Sequence, residues 1–280
     1  MPSPPTGRPS GSGSSSLKPV WTAPPEPSGP SVVRLLDAAA IVEAAATPPD
    51  QPPSAPSAQQ RRAAAKRRKR TGRKLFQHDR GLGVRFVAGA DEAGRGCLAG
   101  PLVAAAVLFD LEALGPRDVR ALGALNDSKQ HTAEGREALY PIVLRTATRV
   151  AVVSRCARGI DDRGLHRTNL AALRQALLRV ARPGCILLSD GFPVGDLQGH
   201  DGRAIVDGDA TSAAIAAASI VAKVTRDRFM HRADTRHPGW EFAAHVGYST
   251  PEHRDAIQRL GVSPLHRLSF QSTAYQQLAL

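Results

Sequence analysis

Val84-Arg85-Phe86-Val87-Ala88-Gly89-Ala90-Asp91, followed shortly by Pro101-Leu102-Val103-Ala104-Ala105-Ala106-Val107-Leu108-Phe109, is the text that decides the fold. Each run is short and apolar, carries β-branched residues and is bounded by Gly or Pro, which marks a strand rather than a helix. Thr148 to Ser154 reads as a third strand, Cys185 to Gly191 as a buried strand ending on an acid and a glycine, and Arg203 to Ala210 as another. Asp161 to Ala181 keeps apolar residues at helical spacing and stops before Pro183-Gly184. Thr211 to Arg232 is a long alanine-dense helix suited to close packing on a sheet, and a last helix starts at Thr250-Pro251-Glu252, with Thr250 as cap and Pro251 in the first position. Strands first and strand–helix alternation afterwards predict an α/β domain, a mixed sheet with helices packed on it.

Outside these elements the chain changes character. Residues 1–60 hold 14 of the 22 prolines, with Ser and Ala filling much of the remainder, and carry three basic and four acidic side chains. Such a composition buries too little apolar surface to offset chain entropy. Within it only Ser31 to Thr47 has helical character. Residues 61–74 (RRAAAKRRKRTGRK) add nine basic side chains and no acid, so most of the formal net charge of +12 lies in one short run. A block of like charge repels itself and stays disordered, either as an arm for nucleic acid or another polyanion or as a solvated tail with no fixed partner. The expected organisation is therefore a disordered tail over 1–74 and a folded domain over 75–280. Absence of a long uncharged apolar run argues against a membrane span, and the three cysteines, Cys97, Cys156 and Cys185, form no CxxC pair. A cytoplasmic monomer is expected.

Three acidic sites share one placement. Asp91-Glu92, Asp190 and Asp209 each follow an apolar strand-like run, and active sites of open α/β sheets gather at strand ends. Clustered carboxylates repel unless a cation holds them, and oxygen donors without a Cys or His cluster suit Mg²⁺ or Mn²⁺ better than zinc. Taken singly, each acid is as well explained as a turn residue or cap. Six lysines stand against 31 arginines, and the folded part keeps only Lys129 and Lys223, each soon after a serine, as a phosphate pocket requires. Gly94-Arg95-Gly96 directly after the acid pair lets backbone amides approach a ligand closely.

Gly89-Ala90-Asp91-Glu92-Ala93-Gly94-Arg95-Gly96 with Leu98-Ala99-Gly100-Pro101-Leu102-Val103 resembles the opening signature of the bacterial ribonuclease HII family. Asn126-Asp127-Ser128-Lys129, Asp190-Gly191, Gly208-Asp209, the block from Ala217 to Asp227, Gly247-Tyr248 and His266-Arg267-x-Ser269-Phe270 are similar to later family motifs, in the family's order. The resemblance implies a ribonuclease H-like fold, a five-stranded mixed sheet flanked by helices, with a small helical C-terminal part. It implies a metal-dependent endoribonuclease that hydrolyses the RNA of RNA–DNA hybrids and nicks 5′ of ribonucleotides embedded in duplex DNA, leaving 3′-hydroxyl and 5′-phosphate ends.

By the same resemblance, the catalytic and metal-binding quartet falls on Asp91, Glu92, Asp190 and Asp209. Two divalent cations, Mn²⁺ or Mg²⁺, would be bridged by Asp91, with Asp190 and Asp209 completing one each. Glu92 should point to the other face of its strand, acting through its carbonyl or from an outer shell, unless the strand ends there. Substrate contacts fall on Gly94, Arg95, Gly96, Asp127, Ser128, Lys129, Ser219, Lys223 and Tyr248, with the amides of Gly94-Arg95-Gly96 and the Tyr248 phenol reading the ribose 2′-hydroxyl. Two positions depart from the pattern. Asp207 stands where relatives often carry Lys, making it a rival ligand to Asp209, and Val246 replaces a Lys before Gly-Tyr. Gln277-Leu278-Ala279-Leu280 is similar to peptides that dock on bacterial sliding clamps, without their final aromatic; a frayed helix end is the competing reading. A transposase- or resolvase-like nuclease on the same fold and a non-catalytic nucleic-acid binder are the alternatives to set against these expectations.

Overall fold

The computed structural model describes residues 72–125 and 131–270, together with Tyr275. The Ser31–Thr47 island, nearly all of the basic run, the Asp127-Ser128-Lys129 motif and the C-terminal tetrapeptide lie outside the described residues.

Helical residues 72–81 lead into β1 (Phe86–Ala93) and β2 (Leu102–Asp110). After these come α1 (Pro116–Ala121), α2 (Ala133–Thr146), β3 (Arg149–Arg155), α3 (Ala157–Arg163), α4 (Leu165–Val180), β4 (Cys185–Asp190), β5 (Asp201–Ile205), α5 (Ala213–Arg236), α6 (Phe242–His245) and α7 (Pro251–Leu260). The strands form one mixed sheet in the order β3-β2-β1-β4-β5. β1 runs antiparallel to β2, as β2 does to β3, while β1–β4 and β4–β5 are parallel.

Alternation along the central strands sorts their side chains onto two faces. Val87, Ala93, Val103, Val107, Ile186 and Leu188 join the core under α5 and α2, and Ala88, Ala90, Ala104, Ala106 and Leu187 join the one under α4. Both faces are covered, which is why β2 is buried from end to end and reads as an unbroken apolar run. Alanine and glycine set the closeness of one layer. Residues Ala213 to Ala218 of α5 are fully buried, and a Cβ on Gly89 would overlap the backbone of Ala214 and Ile215. The start of α5 is held by Ser212, whose hydroxyl accepts from Ile215 N, and by the buried Asp79, whose Oδ2 accepts from Ala214 N at 3.0 Å. An acid at a helix N-terminus faces four unpaired N–H groups and the positive end of the dipole.

Several boundaries differ from the sequence reading. The helix expected over Asp161 to Ala181 is two helices, because Gly164 adopts φ +80 and breaks the run. The strand expected over Arg203 to Ala210 lies earlier, at Asp201–Ile205. Asp207 then takes left-handed φ +51, and Gly208–Ala210 form a 3₁₀ turn, so Asp209 sits on that turn and not on a strand end. Helix α2 carries no strong apolar period; it is set by Thr132, whose hydroxyl accepts from Gly135 N at 3.1 Å. Thr250 and Pro251 open α7 as cap and first residue. Among the described residues no helix is long and apolar enough to cross a membrane, and all three cysteines are free thiols.

Candidate active site

The register of the two parallel central strands brings the first carboxylates together. Ala90 pairs with Ser189, so the next pair along is Asp91 beside Asp190, both on the face that packs against α5. Adjacent strands lie about 4.8 Å apart. Asp209 approaches from the 3₁₀ turn ahead of α5, and that turn is tied to the same place, since Gly208 N donates to Asp190 Oδ1 at 2.7 Å. Glu92, next along β1, points to the α4 face as alternation requires, toward Asn169. Glu92 nevertheless lines the same cleft. Asp91, Glu92, Asp190, Asp209, Gly94–Gly96, Ser219, Lys223, Arg136 and Tyr248 together line one cleft of about 250 Å³.

The acids are held under electrostatic stress. Asp91 is buried; burial, and then the charges of Glu92 and Asp190, push its carboxyl well above the usual range against a hydrogen bond from Ser219. Burial also raises Glu92, with Asn169 and Arg95 opposing and Asp190 adding to the shift. Arg95 Nη1 lies 3.8 Å from Glu92. Asn169 is fully buried beneath this end of the sheet; its amide is near enough to Glu92 to oppose that rise, yet neither its oxygen nor its nitrogen closes a hydrogen bond of full geometry.

A carboxylate donor set of oxygen atoms only, with crowded buried negative charge, fits a hard divalent cation and its water shell. Among the described residues no group of three or more His, Cys, Asp or Glu forms a ready-made metal cage. Mg²⁺-type sites need none, taking one or two carboxylates and completing their shell with water and substrate phosphate. Asp207, the rival to Asp209, is exposed, whereas Asp209 is buried at the cleft.

The opposite wall is built on two buried arginines. Arg226 of α5 donates through Nε to Pro101 O (3.0 Å), through Nη1 to Val246 O (2.8 Å) and through Nη2 to Ala99 O (3.0 Å). Arg267 donates through Nε and Nη2 to Gly100 O and through Nη1 to Arg95 O. Burial lowers Arg267 to about 10, still a cation at neutral pH. Gly94, at φ +84, packs directly on Arg226, where a Cβ would overlap the guanidinium. Leu98 N completes the junction by donating to Gly247 O at 2.9 Å. Tyr248 is thereby fixed next to Gly94-Arg95-Gly96, 41% exposed, with its ring under Lys223 Nζ at 5.4 Å. Burial, followed by nearby Cys97, raises the phenol pKa, so it remains a hydrogen-bond donor. Asp227 Oδ1 accepts from Lys223 Nζ at 2.7 Å, and its Oδ2 lies 3.8 Å from Arg136 Nη2. Arg136 and Asn169 went unmarked in the sequence reading: a lone Arg on a helix of weak apolar period and a lone Asn on an amphipathic one carry no local signal.

A mixed five-stranded sheet with carboxylates on its central strands and the following turn defines a nuclease of the ribonuclease H type. Residues 88–273 match the family model described as Ribonuclease HII. A "Ribonuclease HII" of Rhizobium leguminosarum is 50% identical over 184 residues, covering 66% of this chain and 77% of that one. The crystal structure of ribonuclease H2 from Pyrococcus horikoshii superposes with a TM-score of 0.58 at 26% identity, covering 69% of this chain and 96% of the other. A PCNA:RNase HII complex from Archaeoglobus fulgidus gives the same TM-score and identity over 67% of this chain and 96% of its counterpart. The chain belongs to the ribonuclease HII family and is an endoribonuclease of the ribonuclease H type.

A carboxyl whose pKa is higher folded than unfolded destabilises the fold as pH rises: above the unfolded value of 3.8 the unfolded chain releases its proton first, and the cost grows until the folded value is passed. Asp91→Asn removes that cost. In chelator at pH 7 the variant should melt at a higher temperature than the parent, with the difference vanishing as pH falls below 3.8. An equal or lower melting temperature at pH 7 would show that Asp91 is not strained.

Proposed function

We propose that the protein nicks the strand 5′ of a ribonucleotide embedded in duplex DNA and hydrolyses the RNA of RNA–DNA hybrids, leaving 3′-hydroxyl and 5′-phosphate ends. What carries the reading is the placement, in one cleft, of Asp91, Glu92, Asp190 and Asp209 opposite Gly94-Arg95-Gly96 and Tyr248. Two divalent cations, Mg²⁺ or Mn²⁺, would supply activation of the attacking water and stabilisation of the leaving 3′ oxygen.

The chain's own residues do the rest. Asp91 would serve as a ligand to the cations, its carboxylate oriented by Ser219 and by Glu92 N, which donates to Asp91 Oδ1 at 2.7 Å. Asp190, oriented by the Gly208 amide, and Asp209 would complete the ligand set, and Glu92 would add charge from the opposite face. Lys223 and Arg136 face the phosphates, their positions set by Asp227. The amides of Gly94-Arg95-Gly96 and the Tyr248 phenol read the 2′-hydroxyl, the group that separates ribose from deoxyribose. Asp127, Ser128 and Lys129 belong to the same proposed substrate surface. The Archaeoglobus relative has been solved in complex with PCNA; here Gln277–Leu280 is the segment proposed for a sliding-clamp contact.

Asp190→Asn should reduce cleavage of every substrate by more than the ~10–100-fold typical of losing an outer-shell partner, with duplex binding retained. Tyr248→Ala should lower cleavage at a single embedded ribonucleotide about tenfold more than in a long hybrid, which offers many registers, a difference of ~1.4 kcal/mol. Substantial Asp190→Asn activity in saturating Mn²⁺ would displace the metal assignment, and equal Tyr248→Ala losses would make Tyr248 structural.

Removing residues 1–71, which carry ten basic and four acidic side chains, should weaken binding to all duplexes and flatten its salt dependence. Each phosphate that the shortened protein no longer neutralises reduces the steepness of the fall of log affinity with log salt by ~0.9. Preference for ribonucleotide-containing DNA should survive, since phosphate contacts position without reading the sugar. Identical slopes would mean that the arm does not touch nucleic acid.

A further inference from the structure

Behind Tyr248, away from the carboxylates, three histidines from α6, α7 and the segment after α7 are buried together: His245, His253 and His266. The His245 and His253 rings stack at 4.0 Å, and His253 Nε2 lies 3.1 Å from His266 Nε2. Among the described residues no carboxylate hydrogen-bonds these rings, Glu252 reaching His245 only through its charge, and the partners assign every proton. Gly247 N donates to His245 Nδ1 at 3.0 Å, so His245 carries its proton on Nε2 and donates it to Trp240 O at 2.7 Å. Ser263 N donates to His266 Nδ1 at 2.8 Å, so His266 is protonated on Nε2. That N–H can meet His253 Nε2 only if the latter is bare, which places the His253 proton on Nδ1, donated to Tyr248 O at 2.8 Å. Burial lowers both His253 and His266 to about 4, keeping these two rings neutral.

The segment this chain supports does not hold its shape unaided. Val246 has φ +43 and Gly247 φ +84, consecutive left-handed residues of which one is β-branched. A non-glycine residue in that region is strained and persists only where its surroundings over-determine it. Here they do: Arg226 takes Val246 O, His245 takes Gly247 N–H, and His253 takes Tyr248 O.

We propose that His253, fixed in its Nδ1–H tautomer by His266, is a positioning residue that holds Tyr248 against the ribose and so sets the enzyme's preference for a single embedded ribonucleotide. The proposal rests on the reading that Tyr248 recognises the ribose.

The test uses full-length protein and compares kcat/KM on duplex DNA bearing one ribonucleotide with kcat/KM on a long RNA–DNA hybrid. His253→Leu should lower the ratio of the two about tenfold, and His253→Asn, which keeps an N–H near the Nδ1 position, should recover most of it. With Tyr248→Ala already present, His253→Leu should not move the ratio further, because both act through one contact. Equal losses on the two substrates, or losses that add to those of Tyr248→Ala, would overturn the proposal. If Tyr248→Ala alone leaves the ratio unchanged, the ribose reading has failed and takes the positioning role with it; if only the histidine variants leave it unchanged, the reading stands and the positioning role falls. Should His253→Leu not fold, the imidazole ¹⁵N spectrum of the unaltered protein decides. Protonation of His253 on Nδ1 alone and of His266 on Nε2 alone at neutral pH is expected, and any other pattern would break the chain.

Discussion

Arg226 leaves α5 and meets carbonyls where a carboxylate would be the usual partner: Ala99 and Pro101 on one loop, Val246 on another. A fully buried guanidinium with no ion-pair partner among the described residues is costly unless its N–H groups are taken up, and an acceptor left behind by its removal costs about 1–3 kcal/mol. Arg267 repeats the arrangement on Gly100 and Arg95. Between them the two side chains convert a glycine-rich loop, which has little conformational preference of its own, into a surface of fixed shape. The amides of Gly94-Arg95-Gly96 and the ring of Tyr248 have their places because these carbonyls have theirs.

The metal-facing side is governed by a different constraint, the closeness with which α5 approaches β1. Gly89 admits the helix backbone, and the run of alanines lets it lie flat. That proximity brings the Ser219 hydroxyl to Asp91 and lets the 3₁₀ turn ahead of the helix present both Asp209 and the Gly208 amide to Asp190. Crowded carboxylates are the result, and a cation bound among them, as proposed above, would relieve their repulsion.

Much of this was legible in the sequence, for reasons that differ by element. β1, β2 and β4 announced themselves because both faces are buried, so each reads as an apolar run with a sharp end. Asp91 and Asp190 could be placed because a strand's end is where its pattern stops. Asp209 was found by motif and misplaced by element, since a 3₁₀ turn with a left-handed residue before it looks in sequence like the frayed end of a strand. Gly164 hid a helix break, because a single glycine in an apolar period is compatible with continuation. Arg226 and Arg267 were quoted within motifs, yet their task was invisible: their partners are backbone carbonyls, which every residue possesses and no sequence displays. Arg136 and Asn169 depend on tertiary placement alone.

Ser219 and Arg226 stand on one helix about two turns apart, a separation of roughly 10 Å fixed by the α-helical rise. One sets the carboxylate end of the cleft and the other anchors the loop proposed to read the sugar. On that assignment α5 is a ruler: the phosphodiester attacked is chosen by its distance along the strand from the ribose being read, and the chemistry of that bond need not enter the choice. A single residue inserted between the two positions would lengthen the ruler by about 1.5 Å and turn its far end through roughly 100°. Where the enzyme cuts is in this sense a length written into a helix.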